Sequence, residues 1–272
     1  MRATLLRGSL TLLVLGVLLG AVPGGWAADE QWTRQGEILL GMGRYEEAAR
    51  MFSQAIEVEG LRPEILLGRG LARLYEGKLE IADEDLTRVI EMAPQSPTAF
   101  TARGTARFKL GRYSAAIEDY TRALAVDQTF APAYNQLGWA LAVVPDAKLR
   151  NPERALEMAR KAVDMDPSIH HQDTLAAALA ASEKFTQAAV VQKEVLRRAI
   201  QEDQTAELEA FSARLKHYES GKPWRLETIE KTPEKTEKPT ALAATSVDAV
   251  KSEPALQPSP AKPPAVPPQT VA

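Results

Sequence analysis

The chain has 272 residues, of which 45% are hydrophobic, 25% charged and only 6% aromatic, and this composition suits one or two folded domains. Because the chain has no cysteine, a disulfide framework, a thiolate metal site and a cysteine nucleophile are excluded. The formal net charge is −3 and no run of Lys and Arg occurs, so a nucleic-acid partner is not expected.

The N-terminal segment has the pattern of an export signal. Arg2 and Arg7 provide positive charge, residues 10–20 are apolar, and small residues follow. We predict a signal peptide over residues 1–27, cleaved to leave the rest of the chain in a bacterial periplasm or cell envelope. The alternative is a retained anchor, and only then a membrane contact, because the uncharged residues 8–28 are just long enough to span a bilayer. The helix-breaking Pro-Gly-Gly late in that run favours cleavage.

Small residues return at a fixed interval of 34 along the next part of the chain. The two series are Gly36, Gly70, Gly104 and Gly138, and Ala48, Ala82 and Ala116. Within one interval, Ala48, Phe52 and Ala55 have the i, i+4, i+7 spacing of a single helix face. Each interval therefore predicts two amphipathic helices, joined at a glycine and packed closely through their small residues.

These spacings resemble the tetratricopeptide repeat (TPR), in which small, aromatic and turn positions recur within 34 residues. The resemblance implies an all-α fold, a right-handed TPR solenoid of about five helix-turn-helix repeats plus a C-terminal capping helix. The predicted solenoid spans residues 28–226. Its repeats cover residues 29–62, 63–96, 97–130, 131–168 and 169–202, and its cap covers residues 203–226.

Two repeats depart from this pattern. The fourth has five extra residues between its helices, and its second helix is predicted to start at Asn151-Pro152-Glu153, with an N-cap, a first-turn proline and an acid. The fifth has Glu183-Lys184 where the earlier repeats have a glycine turn. The inserted text and the segment at residues 214–225 resemble exported bacterial TPR-containing proteins.

A helical stripe and then a change of composition end the folded region. Leu208, Phe211, Leu215 and Tyr218 lie on one helix face, as a solenoid cap requires. Residues 227–272 are rich in proline and contain no aromatic residue, so we predict a disordered spacer. The alternative for this tail is a proline-motif ligand for an aromatic groove.

The strongest candidate metal site lies around two adjacent histidines. His170 and His171 are surrounded by Asp164, Asp166 and Asp173, but adjacent helical residues point about 100° apart and do not share a face. We therefore predict no metal site and no cofactor. The sequence has no nucleophile–base pattern and no phosphate-binding glycine loop, so an enzyme is not predicted, and an envelope hydrolase or metalloprotein is the least favoured alternative.

Acidic and basic residues also return in phase with the repeat. Arg69 and Arg103 precede Glu84-Asp85 and Glu118-Asp119 by the same distances. We favour intramolecular pairs between neighbouring helices over a charged strip that binds a ligand's carboxylates. The Lys and Asn pattern of TPR proteins that bind chaperone tails is absent, so that ligand is not predicted. The corresponding positions hold Thr33, Glu37, Leu67, Leu71, Thr101 and Thr105.

The TPR resemblance implies a non-catalytic protein–protein interaction adaptor, which binds a peptide or partner helix in a concave groove lined by the first helices. The candidate partner-binding residues on that face are Leu67, Leu71, Leu74, Tyr75, Phe108, Asn135 and Trp139. The pattern leaves open whether the leucine stripe is exposed or widens the core contact between neighbouring repeats. The alternative function is a self-associating structural scaffold subunit.

Overall fold

The computed structural model describes residues 30–227, and within this range the chain is built from α-helices and has no strand. The prediction of an all-α helical-repeat fold is confirmed. The predicted signal peptide lies outside the described residues, and so does the predicted tail apart from Glu227. None of the described helices combines the length and the apolar character that a bilayer crossing requires.

Eleven α-helices follow one another through the described range, and ten of them form five consecutive pairs. They are α1 (Gln31–Gly41), α2 (Tyr45–Glu59), α3 (Pro63–Glu76), α4 (Leu79–Met92), α5 (Pro97–Lys109), α6 (Tyr113–Val126), α7 (Ala131–Val143), α8 (Pro152–Met165), α9 (Ile169–Ala181), α10 (Phe185–Gln201) and α11 (Leu208–Glu219). A short 3₁₀ turn, Thr205–Glu207, precedes α11. Each pair falls inside one of the repeats expected from the 34-residue interval.

The pairs stack so that their first helices form one layer. Each of α1, α3, α5 and α7 contacts the next first helix, and α9 contacts the cap α11. Among the described helices, no second helix of a pair contacts the second helix of the next pair. Because the first helices lie closer together than the second ones, the stack curves and its first-helix layer is the inner side.

The small residues sit where the two helices of a pair approach most closely. A Cβ atom on Gly36 would stand 2.9 Å from the Phe52 ring, and one on Gly104 would stand 2.6 Å from the Tyr120 ring. Such distances are shorter than van der Waals contact, so the aromatic ring occupies the space that a side chain would need. This packing explains why a large apolar residue follows the glycine sixteen positions later in the first three repeats, where Leu86 takes the place of the aromatic residue opposite Gly70.

The turn inside a repeat needs left-handed backbone. Gly43, Gly77 and Gly111 have φ of 74°, 88° and 73° in the first three pairs. Glu183, at the corresponding place in the fifth pair, has φ of 62°. A non-glycine residue in this region costs about 1 kcal/mol or more, so the fifth turn keeps the geometry of the others with added strain.

The fourth pair ends its first helix without a left-handed glycine. The loop after α7 supplies other hydrogen bonds. The Asn151 N–H donates to Leu141 O in the last turn over 3.1 Å, and the Arg150 guanidinium donates to Val144 O and Pro145 O, just beyond the helix, over 2.9 and 2.6 Å. The Asn151 side chain caps α8 by accepting from the Arg154 N–H at 3.0 Å. The residues between α7 and α8 therefore replace the glycine turn by backbone and side-chain hydrogen bonds.

The cap α11 closes the last pair through the predicted stripe. Phe211 and Tyr218 are fully buried, and Leu208 and Leu215 pack beside them as half-buried side chains. Beyond the helix, residues 222–227 have no regular secondary structure. We call these six residues the C-terminal strap.

Candidate peptide-binding groove

The predicted leucine stripe lies on α3 in the inner layer, and its three side chains differ in how deeply they are buried. Leu67 and Leu71 are half-buried and pack against the core formed with α4 and α5. Leu74 is only 3% exposed, so the expectation that it lines the groove is corrected: its side chain belongs to the core. The Leu74 side chain is buried because it lies on the face of α3 that packs against α4 and α5.

Tyr75 is the most open of the predicted groove residues. Its side chain is 55% exposed, and its ring stacks on that of Tyr45, with 5.2 Å between centroids and 30° between planes. Tyr45 begins α2, so the stack links the second helix of the first pair to the first helix of the second pair. Stacking orders the ring without covering it, which leaves an aromatic face available to a partner.

Phe108 and Trp139 lie further along the inner layer and are half-buried. Both pack against the C-terminal core cluster, which is formed by buried residues of α6 to α11. The Phe108 ring meets Tyr113 edge-on at 5.2 Å, and the guanidinium of Arg214 lies 5.4 Å from the centre of the Trp139 ring. Both rings are therefore partly structural, and each presents only part of its surface to the groove.

Asn135 lies one helical turn before Trp139 on α7 and is also half-buried. Its Oδ1 atom is buried and accepts no hydrogen bond from the described residues. A buried acceptor without a donor costs about 1–3 kcal/mol. The predicted residues thus form two groups along the inner layer, one on α3 with Leu67, Leu71 and Tyr75, and one on α5 and α7 with Phe108, Asn135 and Trp139.

The repeating charges form pairs inside the protein. Arg69 binds Asp85 through two hydrogen bonds of 2.8 and 2.7 Å, and Arg103 binds Asp119 through two of 3.1 and 2.7 Å. Arg107 donates to Asp119 over 3.0 Å and to Asp83 over 2.8 Å. The prediction of intramolecular pairs is confirmed. The carboxylates of Asp85 and Asp119 are buried, whereas the arginine side chains remain partly exposed.

The two adjacent histidines have separate surroundings. His171 is buried and its Nδ1 atom lies 2.7 Å from the carbonyl oxygen of Asp166, whereas His170 is exposed and lies 3.4 Å from Glu207. Asp173 accepts from the Arg214 Nε at 2.8 Å and from the Gln192 Nε2 at 2.9 Å. Over residues 30–227, no three His, Cys, Asp or Glu side chains are grouped to hold a metal ion.

Arg214 links the cap to the inner layer from a buried position. Besides binding Asp173, its guanidinium lies 5.2 Å from the Phe211 ring and 6.0 Å from the Trp224 ring. Burial raises the pKa of Asp173, and the positive charge of Arg214 opposes that shift. Burial also raises the pKa of Tyr218, whose hydroxyl has no hydrogen-bond partner among the described residues. The surroundings of Arg214 therefore contain three aromatic rings and the buried carboxylate of Asp173.

The C-terminal strap returns to the last turn of α7, the helix that carries Asn135 and Trp139. The Leu226 N–H donates to Val143 O over 3.0 Å, and the Arg225 guanidinium donates to Ala142 O over 2.8 Å. Trp224 meets the His217 ring edge-on at 4.9 Å, and both Trp224 and Leu226 pack on the C-terminal core cluster. These strap residues were not among the predicted groove residues. A tryptophan and a leucine just after a helix-ending glycine were the available signal.

Comparison with known protein families identifies the repeated helix pairs. Two family models of the tetratricopeptide repeat match the chain, at residues 33–97 and 104–142. The chain is a TPR protein. Neither family model matches the chain beyond residue 142. Helices α8, α9 and α10 lie after that residue, so their pairing is observed in the structure alone.

Solved structures share the fold of this TPR protein. The thermophilic TPR protein TTC0263 of Thermus thermophilus is 20% identical, with a TM-score of 0.56, over 71% of this chain and 98% of the other. MamA of Desulfovibrio magneticus RS-1 is 24% identical, with a TM-score of 0.51, over 65% of this chain and 97% of the other. At these identities the similarity concerns the fold alone. No curated protein matches the chain at a significant level.

Proposed function

We propose that this TPR protein is a non-catalytic adaptor that holds a peptide or helix of a partner protein against its inner helix layer. TPR domains in general are interaction modules that bind peptides or proteins. The observation that carries the proposal is the exposed ring of Tyr75, held in place by Tyr45 and accompanied by Leu67 and Leu71 on the same helix. The bacterial periplasm or cell envelope is the proposed location, supported by the N-terminal sequence pattern.

Burial of this surface by a partner is favourable for a physical reason. The Tyr75 side chain is more than half exposed, so a partner that covers it removes apolar surface from contact with water. Because the ring is already stacked on Tyr45, its conformation is restricted before the partner binds. Binding energy at interfaces is concentrated in such aromatic anchors. A peptide on this surface should bind at about micromolar strength, near −8 kcal/mol.

The test is capture of partners from envelope extract by the full chain. Tyr75→Ala should reduce the captured and crosslinked amount at least tenfold, while circular dichroism remains helical. The matched control is Ile81→Ala, which removes a 45% exposed apolar side chain from α4, a second helix. Equal capture by the wild-type chain and a folded Tyr75→Ala chain would remove this surface from the proposal.

A second candidate, self-association into a scaffold, is favoured by the first helix pair. Four apolar side chains on this pair or directly after it are exposed within the described structure. They are Ile38 (49%), Met42 (66%), Val58 (60%) and Leu61 (37%). Light scattering over a concentration series distinguishes the two candidates, because an adaptor keeps a constant mass. A scaffold subunit gains mass with concentration, and Met42→Ser should reduce that gain.

A further inference from the structure

The C-terminal strap is a segment of the chain that folds back onto the end of α7, an inner-layer helix. It has no regular secondary structure, and its Trp224 and Leu226 side chains pack on the same core cluster as Trp139. The guanidinium of Arg214 is close to both indole rings, 5.4 Å from the centre of Trp139 and 6.0 Å from the centre of Trp224. The strap is therefore an example of a segment that packs at the end of α7, close to Trp139.

The end of α7 supplies the polar part of that recognition. The last carbonyls of a helix lack partners within the helix, and here Ala142 O and Val143 O accept from the Arg225 side chain and the Leu226 N–H. One donor is a cationic side chain and the other is a backbone amide. Both are favourable at a helix C-terminus, where the helix dipole is negative. Any extended segment with a basic residue followed by an aliphatic residue offers the same two donors.

The strap makes few polar contacts with the helices beneath it. Two hydrogen bonds link it to the end of α7, and Trp224 and Leu226 are half-buried rather than fully buried. No described carboxylate lies within ion-pair distance of Arg225. Burial lowers the pKa of Arg225, and the nearby positive charge of Arg150 lowers it further, so its charge is held at a cost. Segments with few buried contacts open without unfolding the helices beneath them.

We propose that the inner layer beside Trp139 is a second binding site, for an extended partner segment carrying an aromatic, a basic and an aliphatic residue in succession. Trp224-Arg225-Leu226 occupies this site in the resting chain as an intramolecular ligand. This inference rests on the proposed adaptor function and names a partner class for it. A partner segment of this chemistry takes the place of the strap, while Tyr75 and its neighbours on α3 remain open throughout.

The experiment uses the strap itself as the probe. A fluorescein-labelled, end-blocked peptide of residues 222–227 is titrated into the full chain and into a full-length Trp224→Ala, Leu226→Ala chain, with fluorescence anisotropy as the readout. The covalently linked strap competes at high effective concentration. The variant should therefore bind the peptide at least tenfold more tightly than the wild-type chain. A peptide with alanine in place of Trp and Leu should bind neither chain.

Two further measurements keep the test decisive. Trp139→Leu in the strap variant should weaken peptide binding at least fivefold, since it removes the indole that faces Arg214. If the double variant loses helicity, Arg225→Ala takes its place and is judged by the same criteria, because that change removes the hydrogen bonds to Ala142 O and Trp224 O and leaves Trp224 and Leu226 in place. Absence of peptide binding to a folded strap variant overturns the proposal. Equal affinity for the wild-type and variant chains also overturns it, because the strap then does not occupy the peptide's site.

The outcome separates this inference from the adaptor function. The peptide is synthetic and needs no natural partner, so its binding reports only on the site beside Trp139. If the strap variant binds the peptide and Tyr75→Ala leaves partner capture unchanged, the surface on α3 fails and the strap site stands. If the peptide does not bind and Tyr75→Ala abolishes capture, the strap site fails and the adaptor function stands.

Discussion

Tyr120 lies so close to Gly104 that a Cβ atom at residue 104 would stand 2.6 Å from the ring carbon Cε1. The ring is 1% exposed and belongs to the largest core cluster, so it has little room to move. The contact joins the two helices of the third repeat at their closest approach. It is the physical reason for the recurring glycine.

Gly104→Ala should lower the free energy of unfolding by about 1–3 kcal/mol, because the added methyl group forces the Tyr120 ring out of place. Urea denaturation followed by circular dichroism measures it. Gly41→Ala is the matched control: a Cβ there has nothing within 4 Å. Alanine is the better helix former, so this change should be neutral or stabilising by up to about 1 kcal/mol. A Gly104→Ala chain as stable as the wild type would contradict the close-packing account.

Asp119→Ala should cost about 3 kcal/mol, because it leaves the guanidinium groups of Arg103 and Arg107 without their shared carboxylate in a buried position. Thermal unfolding provides the measurement. The comparison is Glu46→Ala, which removes an exposed i,i+4 pair with Arg50 and should cost less than about 0.5 kcal/mol. Similar losses for the two variants would show that the buried ladder contributes no more than a surface pair.

The Glu59 carboxylate at the end of α2 caps the start of α1, and this predicts a pH dependence. It accepts from the Thr33 hydroxyl at 2.6 Å and from the Thr33 N–H at 3.2 Å, and Arg62 donates to it over 2.9 Å. Burial by itself raises the pKa of Glu59. The hydrogen bonds from Thr33 and Arg62 outweigh that effect and hold the pKa below its ordinary value of 4.5.

A carboxyl whose pKa is lowered by folding adds stability above its unfolded-state pKa and loses it as the pH falls through the folded-state value. Glu59→Gln should therefore cost about 1–2 kcal/mol at pH 7, and that difference should shrink steadily as the pH falls below 4.5. Denaturant unfolding at a series of pH values is the check. Thr33→Val should reduce the pH-dependent difference, since it removes one donor. A difference that grew toward low pH would have the wrong sign for this capping.

Trp139→Ala and Tyr75→Ala should differ in how much stability each removes. Trp139 packs on the C-terminal core cluster, so its removal should cost about 3 kcal/mol. Tyr75 is 55% exposed, so its removal should cost less than about 1 kcal/mol. Thermal unfolding of the two variants tests this directly. A Trp139→Ala chain with unchanged melting temperature would identify the indole as a surface anchor, as the sequence pattern alone allowed.

Two truncations locate the end of the folded unit. A chain ending at Glu227 should keep its melting temperature within about 4 °C of the full chain, since the sequence beyond has little that can bury a core. A chain ending at Gly221 should melt at least about 4 °C lower, because it loses Trp224, Leu226 and two donors to the end of α7. Equal melting temperatures for both truncated chains would show that the strap adds no stability.

The sequence by itself determined the repeat, the helix pairs and the cap. Gly104 and Tyr120 show why: a close approach between two helices needs a small residue opposite a large one at a set spacing, and that spacing is visible in one dimension. The left-handed turn at Gly77 and the stripe that ends in Tyr218 follow from equally local rules. Each is decided by residues close together in the chain or by their strict recurrence.

Only the tertiary structure decided which groove residues are open. Leu71 and Leu74 belong to one sequence stripe, yet Leu74 is buried because it faces α4 and α5, and a helix pattern does not set the position of its neighbours. The docking of Leu226 on Val143 joins residues far apart in sequence, through a backbone amide that any residue type other than proline supplies. Such a contact leaves no periodic signal, so the strap and its covering of the site beside Trp139 emerged only from the folded chain.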